Sequence, residues 1–210
     1  MNPGAAPIRI LAVDDHPVVR QGIAGMLALE ADMNLVGQAS NGREAIQQFR
    51  ANRPDITLMD LQMPEMNGLD ALIAIRNEYP DAKVIMLTTY TGDVQILRAL
   101  KAGAWGYLLK NTLHRDLLHT IRSVYEGKKA LSPEVSYEVA EHGTDEALTP
   151  REVDVLRLIA AGNSNKRVAD KLSIGEASVK SHVENILSKL GANDRTHAVT
   201  IALKRGIIEL

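Results

Sequence analysis

Cysteine is absent from this 210-residue chain. That excludes a disulfide framework and a thiolate metal site, and it fits a cytoplasmic location. No stretch reaches the ~18 apolar residues of a membrane span, and the opening Met-Asn-Pro-Gly-Ala-Ala-Pro lacks a signal-peptide core, so no membrane partner is expected. There is no Gly-x-x-x-x-Gly-Lys loop, which removes the usual phosphate cradle of a nucleotide site. Internal repeats and low-complexity tracts are also missing. So is a large excess of one charge, since 24 Lys/Arg face 26 Asp/Glu. The small balance is nevertheless uneven. Residues 1–147 hold 14 Lys/Arg against 19 Asp/Glu (−5), and residues 148–210 hold 10 against 7 (+3). An acidic front and a basic back point the back toward a polyanion, although +3 alone is a weak signal.

The length suits two small domains. Over the first ~127 residues, short apolar runs alternate with amphipathic stretches. The runs predict strands over 8–13, 35–39, 56–60, 84–88 and 104–108, with helices near 17–30, 42–51, 67–78, 93–102 and 112–126. The strands read as continuously hydrophobic, as when helices cover both faces of a parallel sheet. Five βα units make a doubly wound, flavodoxin-like five-stranded parallel sheet, whose ligands sit at the carboxyl ends of its strands. After Gly127 the strand signal stops. Ser132-Pro133-Glu134 predicts the start of a short linker helix over 133–141, and residues 142–146 read as a hinge. From Thr149 every pattern is helical. Thr149-Pro150-Arg151-Glu152 is a capping box, Ser164 and Asp194 are caps, Ile174-Gly175 is a turn and Gly191 is a stop. Four short helices in about 60 residues form an all-α module centred on a helix-turn-helix.

Asp60 ends the third predicted strand and is followed by the Pro/Gly turn Leu61-Gln62-Met63-Pro64-Glu65-Met66-Asn67-Gly68. Asp14 and Asp15 end the first strand in the same way. Three carboxylates at neighbouring strand ends repel one another unless a cation joins them, and Mg²⁺ suits such oxygen ligands. Thr88 ends the fourth strand, where a hydroxyl reaches a phosphoryl oxygen. Lys110 follows the fifth, where an ammonium pairs with phosphate. Any one of these residues alone would read as a solvated strand end. Together they read as a phosphoacceptor site on Asp60.

On these residues the chain resembles the receiver domain of bacterial response regulators, over residues 7–127. The resemblance implies that Asp60 is the phosphorylated aspartate. It also implies that Asp14, Asp15, Asp60 and the Gln62 main-chain carbonyl hold Mg²⁺. Thr88 and Tyr107 would be the switch pair, with Tyr107 turning inward as Thr88 moves to the phosphoryl group, and Lys110 would be the phosphate-sensing lysine. Asn111 stands where many receivers have proline. Gln62 and Tyr90 lie two positions beyond Asp60 and Thr88, so both are expected to flank the acyl phosphate and set its lifetime.

The segment from Leu148-Thr149-Pro150-Arg151-Glu152 to Ser178-Val179-Lys180-Ser181-His182-Val183-Glu184-Asn185-Ile186 resembles the LuxR/NarL type of DNA-binding domain, over residues 147–210. Residues 128–146 become the linker. The resemblance implies that the helix over ~176–190 enters the major groove. Val179, Val183, Ile186, Leu187 and Leu190 form its core stripe, which leaves Ser178, Lys180, Ser181, His182, Glu184, Asn185 and Lys189 as candidate DNA contacts. Glu184 pairs with Lys180 at i, i+4 or accepts from a cytosine amino group. Ser164, Asn165, Lys166 and Arg167 open the scaffold helix and can clamp the phosphate backbone. One such module buries little DNA, so a homodimer is expected, with Val199 and Leu203 of the last helix as contacts or, alternatively, as packing within the module.

The reading is a transcriptional response regulator, not an enzyme, with a sensor histidine kinase, double-stranded DNA and a second copy of itself as partners. Phosphorylation would control dimerisation. An aspartyl-phosphate phosphatase would also place an Asp at a strand end, but it needs a second acid two positions on, where Gln62 stands. A receiver acting as a constitutive dimerisation module, without phosphorylation, is the remaining alternative.

Overall fold

The computed structural model describes residues 6–89, 93–131, 135–137 and 147–208. These fall into two compact units, one built on a sheet and one on the C-terminal helices. Tyr90, the expected start of the linker helix at 132–134, its end at 138–141 and the expected hinge at 142–146 lie outside the described residues. Residues 135–137 are helical.

The first unit runs β1 (Ile8–Val13), α1 (Pro17–Ala28), β2 (Met33–Ala39), α2 (Gly42–Asn52), β3 (Ile56–Asp60), α3 (Gly68–Glu78), β4 (Val84–Thr88), α4 (Asp93–Lys101), β5 (Gly106–Leu109), α5 (Leu113–Tyr125) and β6 (Ala130–Leu131). All strands pair in parallel, in the order β2-β1-β3-β4-β5-β6. Every residue of β3 and β4 is buried, so both faces are covered, as continuous apolar strands require. Ile10, Ala12, Leu58 and Leu87 pack with Ile23 and Leu27 of α1 and with Leu117, Ile121 and Val124 of α5. Helices α2 and α3 bury Ala45, Phe49, Ala71, Leu72 and Ile75. Both open on an asparagine cap: Asn41 accepts from the Glu44 amide and Asn67 from the Asp70 amide, each at 2.9 Å. The strand order reverses direction between β1 and β3, which opens a crevice at the carboxyl ends of those two strands.

Two expectations need correction. The strand signal does not stop at Gly127, because Ala130–Leu131 pairs with Gly106 and Tyr107 as a sixth, edge strand. The fifth strand starts at Gly106, not at residue 104. Gly103 takes a left-handed φ of 92°, and the Ala104 amide returns to the Ala99 carbonyl to finish α4. Pairing with β4 can begin only after that closure.

The second unit contains α6 (Pro150–Ala160), α7 (Asn165–Leu172), α8 (Glu176–Leu190) and α9 (Arg195–Lys204). The Thr149/Glu152 capping box is present, and Asp194 accepts from the Thr196 and His197 amides at 2.8 and 2.9 Å. Val155, Leu156 and Ile159 of α6, Val168 of α7, Val179, Ile186 and Leu190 of α8, and Ala198 and Ala202 of α9 share one core. The turn between α7 and α8 depends on Ser173, held left-handed at φ 53°, while Gly175 is an ordinary N-cap at φ −70°. No helix among the described residues is long and apolar enough to cross a membrane.

Gly68 fixes the loop over the end of β3. A Cβ there would lie 1.9 Å from the Asp60 carbonyl oxygen, a main-chain atom that cannot swing away. Gly22, inside α1, would meet nothing within 4 Å. Gly68→Ala is therefore expected to destabilise the protein by about 1–3 kcal/mol or more. Gly22→Ala should be neutral or stabilise by up to ~1 kcal/mol. Urea midpoints of the two variants, read against the unaltered protein, check the pair.

Candidate functional site

The crevice collects charged or hydroxylated side chains from four adjacent strand ends, two from the first and one from each of the others. Asp14 and Asp15 follow β1, Asp60 closes β3, Thr88 closes β4 and Lys110 follows β5. Asp14, Asp60 and Thr88 are almost fully buried. The Lys110 ammonium lies 2.7 Å from Asp14 Oδ2 and 2.9 Å from Asp60 Oδ2, so it bridges the two strands. The Gln62 main chain turns back on Asp60, its amide 3.4 Å from Asp60 Oδ1. Beyond it the loop bends through Pro64 and holds Glu65 left-handed at φ 65°. Lys110 opens a single 3₁₀ turn through Thr112, which joins β5 to α5.

Burial dominates the charge of this pocket. It pushes the Asp60 carboxyl up to about 6, against the hydrogen bond and attraction of Lys110 and with help from the Asp14 charge. Desolvation also opposes the Lys110 ammonium, but hydrogen bonds to Asp14 and Asp60 outweigh it and raise its pKa. One ammonium cannot offset three carboxylates. The buried Oδ2 atoms of Asp14 and Asp60 face the Lys110 ammonium, and the buried Asp15 Oδ1 faces the His16 ring. Asp14, Asp15, His16 and Asp60 each offer a donor atom within 4.8 Å of the others. The three carboxylates of this set, with surplus negative charge, fit a divalent cation such as Mg²⁺. His16 was not among the sequence-predicted ligands. The signal was its position directly after the acid pair.

Tyr107 is fully buried, its ring already turned inward on β5. Its hydroxyl, with Thr88 as a polar neighbour and Asp60 close enough to repel a phenolate, is pushed up to about 12, chiefly by burial.

On the second unit, Ser178, Lys180, Ser181, Glu184 and Asn185 of α8 are exposed and His182 is half-buried. Ser164, Lys166 and Arg167 at the start of α7 are exposed, with Asn165 half-buried. Lys189 corrects the expectation. It does not face outward; its ammonium turns in to Glu152 Oε2 at 3.0 Å, with 14% of the side chain exposed. The reason is Glu152, whose carboxylate is buried by the capping box and needs a cation. Burial would raise its pKa, but the Thr149 amide and Lys189 hold it below the usual carboxylate range. Asn163 and Arg195 have a structural role that no local pattern in the sequence signals. The Arg195 guanidinium donates to the Asn163 carbonyl at 2.9 Å, and Asn163 Nδ2 donates to the Leu158 carbonyl at 2.8 Å, which pins the loop before α7. Val199 and Leu203 are half-buried against the module's own core.

An acid pocket at the topological switch of a parallel sheet, in one chain with a helix-turn-helix module, defines a signal-receiving DNA-binding protein. Residues 10–122 match the response regulator receiver domain, and residues 146–202 match the bacterial regulatory proteins of the luxR family. The chain belongs to the response regulators that carry a LuxR-type helix-turn-helix domain. It is 40% identical over 207 residues to the response regulator protein VraR of Staphylococcus epidermidis, covering 96% of this chain and 99% of the relative. Among solved structures it resembles the response regulator ChrA of a heme-sensing two-component system (36% identity, 97% and 100% of the chains, TM-score 0.58). It also resembles the response regulator RcsB in complex with DNA (25% identity, 94% and 98% of the chains, TM-score 0.72). The family is one of DNA-binding transcription regulators, not of classical enzymes.

Two outcomes follow from these environments. A carboxyl raised in the folded state contributes stability at low pH that is lost as pH rises through its folded pKa. In chelated buffer the stability difference between Asp60→Asn and the unaltered protein should therefore move in the variant's favour between pH 4.5 and 8. The expected size is on the order of 1–3 kcal/mol, and a flat difference from denaturation at both pH values would contradict the burial argument. In the second unit, Lys189→Ala should cost about 1–3 kcal/mol by stranding Glu152. Lys180→Ala should stay within about 0.5 kcal/mol. Thermal melts of both variants check the contrast.

Proposed function

We propose that the protein is a phosphorylation-controlled transcriptional regulator, with residues 7–127 as receiver, 128–146 as a linker whose Ala130–Leu131 adds the edge strand to the receiver sheet, and 147–210 as the DNA-binding domain. The observation that carries this reading is the Lys110 bridge between Asp14 and Asp60 at the open end of the sheet. A sensor histidine kinase would supply the phosphoryl group. The phosphorus–nitrogen bond of its phosphohistidine breaks, a bond from an Asp60 carboxylate oxygen to phosphorus forms, and the released imidazole takes up a proton. Asp14, Asp15, Asp60 and the Gln62 carbonyl would hold Mg²⁺, which offsets charge on the transferring group. Lys110 would pass from the Asp60 carboxylate to the phosphoryl oxygens. Thr88 would donate its hydroxyl to one of them, with Tyr107 packed inward behind it.

The output reading rests on exposure. Lys180 stands with Ser178, Ser181, Glu184 and Asn185 on the open side of α8 for the major groove, while Ser164, Asn165, Lys166 and Arg167 serve the phosphate backbone. His182 joins the groove set at its edge. A homodimer through Val199 and Leu203 would double the contact on a paired site, and phosphorylation would favour it. The absence of a long apolar helix among the described residues suits action in the cytoplasm.

With Mg²⁺ and a small phosphodonor, the protein should gain one phosphoryl group by mass, dimerise and bind its operator more tightly. Asp60→Asn should do none of these. Equal DNA affinity with and without donor would instead favour a receiver that dimerises constitutively. Lys180→Ala should weaken specific binding by roughly 1–3 kcal/mol if it reads a base. If it touches phosphate alone, the salt slope should fall by about one unit on every sequence. Gel-shift titrations at two salt concentrations separate these outcomes.

A further inference from the structure

His16 stands at the mouth of the acid pocket. Its Nδ1 is 2.6 Å from Asp15 Oδ1 and 3.4 Å from Asp14 Oδ1. Two ligand atoms bound about 2.0–2.3 Å from one ion stand roughly 3 Å apart when adjacent and a little over 4 Å when opposite. The Asp14, Asp15, His16 and Asp60 donor atoms, all within 4.8 Å of one another, come close to that spacing before any ion arrives. The ring is placed by its backbone. The His16 amide donates to Asp14 Oδ1 at 2.9 Å, and the His16 carbonyl accepts from the Val19 and Arg20 amides at the start of α1. Pro17 follows it as the first helical residue. The side chain is 67% exposed, so an incoming ion can reach the nitrogen without unpacking the core.

We propose that His16 is a nitrogen ligand of this pocket and shifts its preference from Mg²⁺ toward borderline divalent ions of the Zn²⁺ class. The inference rests on the reading of Asp14, Asp15 and Asp60 as a cation site. Mg²⁺ prefers oxygen and keeps its waters, so an imidazole gives it little. Zn²⁺ accepts nitrogen together with carboxylate oxygen at short distances. Without an ion, a ring nitrogen and a carboxylate oxygen 2.6 Å apart share the Nδ1 proton, so a metal bound through this nitrogen displaces that proton, and the two states separate once ions are added. The pocket would then report which divalent ion is available as well as bind the one that phosphoryl transfer uses.

The test uses the full chain, labelled with ¹⁵N, and titrates Zn²⁺ and Mg²⁺ separately by calorimetry and by histidine side-chain NMR. The His16→Gln variant identifies the His16 resonances among those of the six histidines. Zn²⁺ should shift the His16 Nδ1 resonance at one equivalent, and His16→Gln should lower the ratio of Zn²⁺ to Mg²⁺ affinity by roughly tenfold or more. An unchanged ratio, or Zn²⁺ saturation with the His16 resonance unmoved, overturns the assignment of His16 alone. If neither ion binds the unaltered protein, or Asp15→Asn weakens neither, the cation-site reading fails and the inference falls with it.

Discussion

Three carboxylates held at the open end of a buried sheet, with one ammonium between them, set the terms for the first unit. Asp14 and Asp60 lie on neighbouring parallel strands, and Lys110 reaches both from beyond β5. A lysine so placed must bring its charge out of water, and only the two carboxylates compensate for that. Each group is thus held in place by others that would be unfavourable alone. The surplus negative charge leaves the pocket best satisfied by a cation, an anionic group carried in with a cation, or a proton on Asp60. That charge balance is what the proposed transfer of a phosphoryl group to Asp60 would alter.

The strands beside Asp60 are packed closely enough to feel its charge. Thr88 and Tyr107 sit on adjacent paired strands, with Thr88 opposite Leu109 and Tyr107 opposite Met86. Tyr107 is packed inside and feels the Asp60 charge directly. A charge change on Asp60 therefore alters the surroundings of Thr88 and Tyr107 without help from solvent, because the region between them is dry and screening is weak. Gly68 keeps the loop after Asp60 pressed against the strand end, so that side of the pocket is fixed.

Much of this was legible in the chain, for identifiable reasons. Strands β1, β3 and β4 are mostly apolar runs that end in Asp60 or Thr88 or lead directly into Asp14, and their bounds agree with the structure. Caps at Thr149, Ser164 and Asp194 were readable because side-chain oxygens three residues before an amide act locally. What escaped depends on distance in sequence. Ala130–Leu131 is a strand only because β5 offers an edge, and two residues carry no periodicity. Lys189 looked solvent-facing on a helical wheel, yet Glu152, 37 positions earlier, draws it inward. The left-handed Ser173 and the late start of β5 at Gly106 come from helix closures whose partners lie in the preceding helix.

The Glu152–Lys189 pair also shows how the second unit divides its charges. Lys189 gives up contact with a polyanion to satisfy a carboxylate that the capping box has buried. That bond ties the first turn of α6 to the last turn of α8, and the Arg195 link to Asn163 ties α9 to the loop before α7. Both cations act inside the module, so its orientation of α8 does not rest on apolar packing alone. Among the outward cations, Lys166, Arg167 and Lys180 lie on helices whose positions are fixed from within. A basic surplus as small as that of residues 148–210 can serve a polyanion under such conditions, because specificity depends on where a few charges are held more than on how many there are.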